Sequence, residues 1–289
     1  MDERRIHRSS WRGMTIEVSE DSCFRTLRFG SRFKQSRMDL YDPDRLVLPY
    51  TRQMMSGALF QPTPKRVLLI GLGGGSLVRF LRRHYPDCHL DVVEISQEVV
   101  RIAERYFNVR ADGRTTLHVA DGAWFVQERV ARLAVEQERV GGVEEACRYD
   151  MVFLDAYDSR GMSASAYALN LFQATRGLLT PQGVLIANAT SSDKDLYRMI
   201  CRAMERAFRG NLLRFPSDRT YNVILLGFPG ARPDLSSNPL YRQRAETLAQ
   251  DHCVEYPEFI ETIIRNNRSF WRVLEAWSRL DFGNQSAAS

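Results

Sequence analysis

VLLIGLGGGSLVRFLRRHYPDCHLDVVE, residues Val67 to Glu94, is the stretch on which the reading of this chain turns. Its first five residues, Val67 to Gly71, form an apolar, β-prone run ending in glycine, the pattern of a strand buried on both faces of a parallel sheet. Gly71, Gly73, Gly74 and Gly75 then allow a sharp turn and a close backbone approach to a ligand, because no Cβ obstructs either. Leu77, Phe80 and Leu81 recur at helical spacing behind Ser76, which is placed to cap the helix. A second strand, Leu90 to Val93, ends on Glu94. An acid at the tip of strand two, about twenty residues after a glycine turn, is where nucleotide-binding βαβ units hold the carboxylate that accepts both ribose hydroxyls. The pattern only approximates G-x-G-x-x-G, since Leu77 or Val78 stands where the third glycine or alanine would be. A dinucleotide needs the helix N-terminus for its pyrophosphate. Four glycines with Ser76 fit better a nucleoside without phosphates, of the S-adenosylmethionine sulfonium type. A structural turn with no ligand is the alternative reading.

At 289 residues the chain can hold one large core, or one domain with appendages. Its 44% apolar and 26% charged residues are ordinary for a soluble globular protein. No apolar run approaches the length of a transmembrane helix, and MDERRIHRSSWR has basic residues with no hydrophobic region behind them, so no membrane and a cytoplasmic location are expected. Five cysteines are scattered singly without C-x-x-C or His/Cys ligand spacing, which predicts free thiols and no metal. The net charge of +5 comes from Lys and Arg spread along the whole chain, without a basic block interleaved with aromatics, so nucleic acid is not an expected partner.

Before the glycine turn, Thr15 to Val18, Phe24 to Phe29 and Phe33 to Gln35 are short, β-prone and separated by turn residues, predicting a small antiparallel unit that flanks or covers the main domain. Leu46 to Leu59 reads as helical from about Tyr50, with Pro49 tolerated near its start. After Glu94, Ser96 caps a helix whose Val99, Val100, Ala103, Tyr106 and Phe107 form one apolar stripe. Thr115 to Val119 is the third strand, running into Asp121-Gly122. That acid lies beside the same crevice as Glu94, since ligands in open α/β sheets sit outside the carboxyl ends of the strands. Asp121 is a candidate for the adenine amino group, and also for capping the helix at Trp124. Gln127 to Arg148 reads as a charged helix interrupted at Gly141-Gly142. Tyr149 to Leu154 is the fourth strand, ending on Asp155 and followed by a polar loop with Tyr157 and Asp158. Two carboxylates three residues apart at a strand end suit a cationic amine, and their mutual repulsion would help remove its proton. Asp155 is the best candidate base. Helices over Ala166 to Leu179 and Leu196 to Phe208, a turn at Thr180 to Gly183, a fifth strand at Val184 to Asn188, and a final antiparallel pair at Leu212 to Phe215 and Asn222 to Phe228 complete the expected seven-stranded sheet. Pro239 to Leu280 supplies appended helices, whose stripe of Phe259, Ile263, Phe270, Val273, Leu274 and Trp277 suits packing or a dimer contact. Gln285 to Ser289 is expected to be disordered.

Taken together, these residues resemble the spermidine synthase family of aminopropyltransferases over roughly Thr15 to Phe228. The resemblance is carried by the β unit with Gln35, the segment around Tyr50, the glycine turn, Glu94, Asp121-Gly122 and, most specifically, the YD-x-V-x-x-D-x-x-D pattern of Tyr149, Asp150, Val152, Asp155 and Asp158. It implies an α/β, Rossmann-like class I methyltransferase fold, with a small N-terminal β unit (1–60), a catalytic domain (61–229) and a C-terminal helical extension (230–289). It also implies that Asp155 deprotonates the attacking amine beside Asp158, and that Glu94 holds the ribose and Asp121 with Gly122 the adenine. Gln35 would touch the donor's aminopropyl side, while Tyr50 and Tyr157 would line the acceptor pocket. The implied reaction is in-line attack of a neutral amine on the carbon next to the sulfonium of decarboxylated S-adenosylmethionine, leaving methylthioadenosine. A homodimer is the family habit.

The chain departs from the family pattern in three places. The signature G-G-G-D-G-G carries an acid that meets the donor's amine and repels a carboxylate, and Gly74 stands there; specificity needs such a repulsive element. Ser159 replaces a usual proline, and Arg52 a usual Glu two residues after the pocket tyrosine, where a cation would oppose a diamine in a shared cleft. The glycine turn is also similar to that of a eukaryotic protein-methylating branch. Three readings follow: aminopropyl transfer; methyl transfer from S-adenosylmethionine, whose carboxylate Arg52 could pair; and a binding or scaffold protein that keeps the fold without activity.

Overall fold

The computed structural model describes residues 3–30, 34–140, 147–158, 161–162, 168–217, 220–235 and 238–267, with the backbone alone at 137–140, 157–158 and 161–162. Four antiparallel strands come first: β1 (Arg4–Trp11), β2 (Met14–Glu20), β3 (Phe24–Phe29) and β4 (Ser36–Asp39), in that spatial order. β1 escaped the sequence reading because RRIHRSSW carries charge rather than an apolar run. It is an edge strand, where charged residues are normal. Arg12 and Gly13, both at positive φ, make the two-residue turn into β2. The last strand lies at Ser36–Asp39; of the expected Phe33 to Gln35, Lys34 and Gln35 precede it outside any strand and Phe33 falls outside the described residues. One face of this sheet, with Ile16, Val18, Leu27, Phe29 and Met38, packs on Val99, Ile102 and Phe107.

The main sheet is built from β5 (Arg66–Ile70), β6 (His89–Glu94), β7 (Thr115–Val119), β8 (Tyr149–Leu154), β11 (Leu179–Thr190), β12 (Leu212–Pro216) and β13 (Asn222–Gly227). Its order is β12-β13-β11-β8-β5-β6-β7, with β11, β8, β5, β6 and β7 parallel and β13 antiparallel to both neighbours. The unbroken apolar run of β5 is explained by two cores. Val67 and Leu69 face one, Leu68 and Ile70 the other, as period-2 alternation between two covered faces requires. Helices α1 (Pro49–Met54), α2 (Ser76–His84), α3 (Gln97–Tyr106), α4 (Gly122–Val140), α5 (Leu169–Leu178), α6 (Lys194–Ala207) and α7 (Leu240–His252) surround the strands. Residues 256–267 are also helical, and their Phe259 and Ile263 lie in the same core as Val67. Phe270, Val273, Leu274, Trp277 and Gln285 to Ser289 fall outside the described residues.

Several local expectations change. α4 starts at Gly122, not Gln127, because Asp121 caps it, accepting from the Trp124 N–H at 3.0 Å. β11 has no separate turn: it advances from Leu179 to Val184 while β8 advances from Tyr149 to Met151, so Pro181 and Gly183 sit in a bulge of a continuous strand. The segment after α1 tightens into a 3₁₀ turn at Met55–Leu59. The loop after β8 holds a two-residue ladder, β9 (Tyr157–Asp158) against β10 (Gly161–Met162). None of the five cysteines, all among the described residues, forms a disulfide.

Candidate active site

The site lies where the parallel strands end. Backbone bonds continue to the tips: Gly71 N–H to the Val93 carbonyl and Asp155 N–H to the Ile70 carbonyl, each 2.9 Å, and Ala120 N–H to the Glu94 carbonyl, 3.1 Å. The residues just beyond β5, β6, β7 and β8 are therefore held side by side at one sheet edge. They border a cavity of about 640 Å³, roofed by the turn end of the N-terminal sheet. Gln35, Tyr50, Gly71, Gly73, Gly74, Ser76, Glu94, Asp121, Gly122 and Asp155 all line it.

Glu94 is held by the backbone around it. Its Oε2 accepts from Leu72 N–H at 3.0 Å and its Oε1 from Ser96 N–H at 2.9 Å, so the carboxylate ties the glycine turn to the loop after β6. Burial raises its pKa, while these N–H groups and those of Gly73 and Ile95 pull the other way. The bonds to Leu72 and Ser96 occupy one acceptor site on each oxygen. Glu94→Gln places an amide N–H₂ against a backbone N–H and removes the charge. It is expected to weaken methylthioadenosine binding by about 1–3 kcal/mol, read by calorimetry; unchanged affinity would make this acid purely structural.

Asp155 ends β8 over Gly71. Asn188 Nδ2 donates to its Oδ1 at 2.8 Å, and the Tyr50 hydroxyl, 3.2 Å from the Gln35 carbonyl oxygen, also reaches it. Burial pushes its carboxyl pKa up, and these two hydrogen bonds oppose that. A poised carboxyl in a cavity is the property a general base needs.

The remaining expectations divide. Ser76 does not cap α2: Gly75, in the left-handed region, precedes the helix, and the Ser76 hydroxyl lies 3.1 Å from that of Ser36. Gly75 faces Val109 and is not among the cavity-lining residues; a side chain there would overlap it. Gly74 does line the cavity, and a Cβ on it would come 2.6 Å from Ser36 Oγ, so Ser36 fills the space an acid's stem would need. Arg52 leaves the site altogether. It donates to the carbonyls of Leu46 and Val47 and to Glu255, which removes both its conflict with a diamine and its pairing with a donor carboxylate. The side chains of Tyr157 and Asp158 lie outside the described ones. Sequence reasoning missed Asn188, whose only signal was a polar residue closing an apolar strand. It also missed Arg79, which donates to the Gly74 carbonyl at 2.5 Å and the Phe107 carbonyl at 2.6 Å; burial lowers its pKa to about 10.

Residues 47–215 match the family model of the spermine/spermidine synthase domain. The chain belongs to that family. A polyamine aminopropyltransferase of Chromobacterium violaceum is 31% identical across 88% of this chain and 90% of its own length. Among solved structures, spermidine synthase in complex with the transition state analogue AdoDATO superposes with a TM-score of 0.64, covering 90% of this chain and 84% of that one at 16% identity. Human methyltransferase-like protein 13 in complex with SAH gives 0.60, covering 72% and 93% at 25% identity. Spermine/spermidine synthases thus share with this chain the class I methyltransferase fold that its sheet order displays.

Proposed function

We propose that this family member transfers an aminopropyl group from decarboxylated S-adenosylmethionine to a polyamine-type primary amine. The observation that carries the proposal is that Glu94 and Asp155, 61 positions apart, open onto one cavity with the Gly71 turn between them. An adenosine with its ribose on Glu94 and its base beside Asp121 and Gly122 would direct its sulfur toward Asp155. Gln35 would face the donor's chain, and Tyr50 the incoming amine, with Asp158 and Tyr157 completing the acceptor side. The amine nitrogen then bonds to the carbon next to sulfur, the carbon–sulfur bond breaks with its electrons on sulfur, and the ammonium proton passes to Asp155. Methylthioadenosine leaves. The site needs no metal in this scheme, and the enzyme would work as a cytoplasmic homodimer, with residues 61–229 as its catalytic domain.

Methyl transfer from S-adenosylmethionine is the second reading, favoured by the uncharged turn at Gly74 and by the likeness to a methyltransferase structure. Calorimetry separates them. Aminopropyl transfer predicts tighter binding of the decarboxylated donor, and methylthioadenosine release when 1,4-diaminobutane is added. A preference for the carboxylated donor, with S-adenosylhomocysteine as product, would reject it.

A further inference from the structure

We infer that Asn188 and Asn222 form a positioning relay that orients Asp155 through its Oδ1 and sets the pH at which it titrates. The inference rests on the proposed role of Asp155 as base and deepens it. Asn188 is 2% exposed between Ala187 and Ala189, both fully buried in β11. A carboxamide in such surroundings is costly unless its polar atoms are bonded. Its Nδ2 donates to Asp155 Oδ1 at 2.8 Å and its Oδ1 accepts from Asn222 Nδ2 at 2.9 Å.

The direction of this chain follows from chemistry. An ionised carboxylate only accepts, so Asn188 must turn its N–H₂ toward Asp155. Alone, that amide could rotate by half a turn and set its oxygen against the carboxylate. Asn222 prevents this by supplying a donor on the other side. Asn222 is itself anchored at the start of β13: its carbonyl accepts from Ser217 N–H at 2.9 Å, and it pairs with Thr190 across the ladder. The bond fixes Oδ1 on Asn188, and the Tyr50 hydroxyl adds a second hydrogen bond to the same carboxylate. Among the described side chains, the other ionisable groups lining the cavity are Arg12, Tyr50, Glu94 and Asp121, and of these Tyr50 acts on Asp155. The Asn188 bond favours the charged carboxylate, so weakening it raises the pH at which Asp155 titrates.

Two substitutions separate this role from simple packing. Asn222→Leu removes the donor. Asn222→Asp keeps the shape but offers only acceptors, which draws the Asn188 N–H₂ to itself and turns its oxygen on Asp155. The Asp155 titration, followed by carbon-13 NMR of labelled carboxyl groups, is expected at higher pH in the Leu variant and higher still in the Asp variant. Turnover of decarboxylated S-adenosylmethionine with 1,4-diaminobutane at neutral pH should fall about tenfold with Leu, the kinetic equivalent of one hydrogen bond, and further with Asp. The acid limb of the pH profile should move upward in the same order, with the KM for the amine and the affinity for methylthioadenosine unchanged. An unmoved titration in both variants, or an Asp variant milder than the Leu variant, overturns the relay. A titration that moves as expected while turnover and its pH profile stay fixed overturns Asp155 as base and leaves the relay standing.

Discussion

Asp155→Asn is expected to lower kcat by about 10²–10⁴-fold, the usual contribution of a positioned general base, while methylthioadenosine binding stays nearly intact. Steady-state kinetics and calorimetry on one preparation check both halves, and unchanged turnover would remove Asp155 from the mechanism. The pH dependence follows from burial, which raises the folded-state pKa of Asp155 above the ordinary 3.8. In the wild type, activity should fall on the acid side as this carboxylate takes a proton. The stability effect has the opposite sense. A carboxyl that is harder to ionise when folded binds more protons in the folded state, so its cost is fully present above the raised pKa and fades as pH falls toward 3.8. Asn removes that cost. The inactive variant should therefore melt no lower than wild type at neutral pH, and any advantage should vanish in acid. A lower melting temperature would point to misfolding as the cause of lost turnover.

Gly71→Ala is expected to destabilise the protein by about 3–5 kcal/mol, measured by denaturant unfolding, and to abolish turnover in whatever folds. Gly71 has φ +100°, which an L side chain rarely adopts, and its added Cβ would overlap the Asp155 carbonyl oxygen. The obstacle is backbone held by the Asp155 N–H bond to Ile70, so no side-chain rotation relieves it. By contrast Gly73, also at positive φ, has open space where a Cβ would go. Gly73→Ala should cost less, and equal losses in the two variants would show that backbone conformation alone, without the close approach to Asp155, sets the penalty.

Much of this was legible in the sequence because the parallel sheet writes itself as apolar runs ending in acids. Val67 to Gly71, Leu90 to Glu94 and Tyr149 to Asp155 each describe a strand between two covered faces, and Gly71, Glu94 and Asp155 reached the cavity by geometry the fold imposes; Thr115 to Val119 is the edge strand, with Val119 exposed, and it is Ala120 and Asp121 beyond it that line the cavity. What stayed hidden depends on contacts between distant segments. Ser76 had the chemistry of a cap, but the left-handed Gly75 preceded the helix and freed its hydroxyl for Ser36. Arg52, two residues from Tyr50, pointed at the site only while the chain was read as a line; the pitch of α1 turns it toward Glu255. Asn188 gave no signal of its partners, since Asp155 and Asn222 lie on neighbouring strands 33 positions before it and 34 after it. β1 was lost because an edge strand can carry the composition of a loop.

The double grip of Glu94 on Leu72 and Ser96 bears on kinetics as much as on affinity. A rim stapled by hydrogen bonds within the chain itself, which need no ligand atom to close them, leaves little ordering to accompany capture of the nucleoside, so the entropic toll of loop closure is small. Association should run near the rates of rigid docking, with discrimination among nucleosides expressed in how fast they escape. The heat-capacity change should report the apolar area covered by adenosine, without the larger contribution that a folding loop would add.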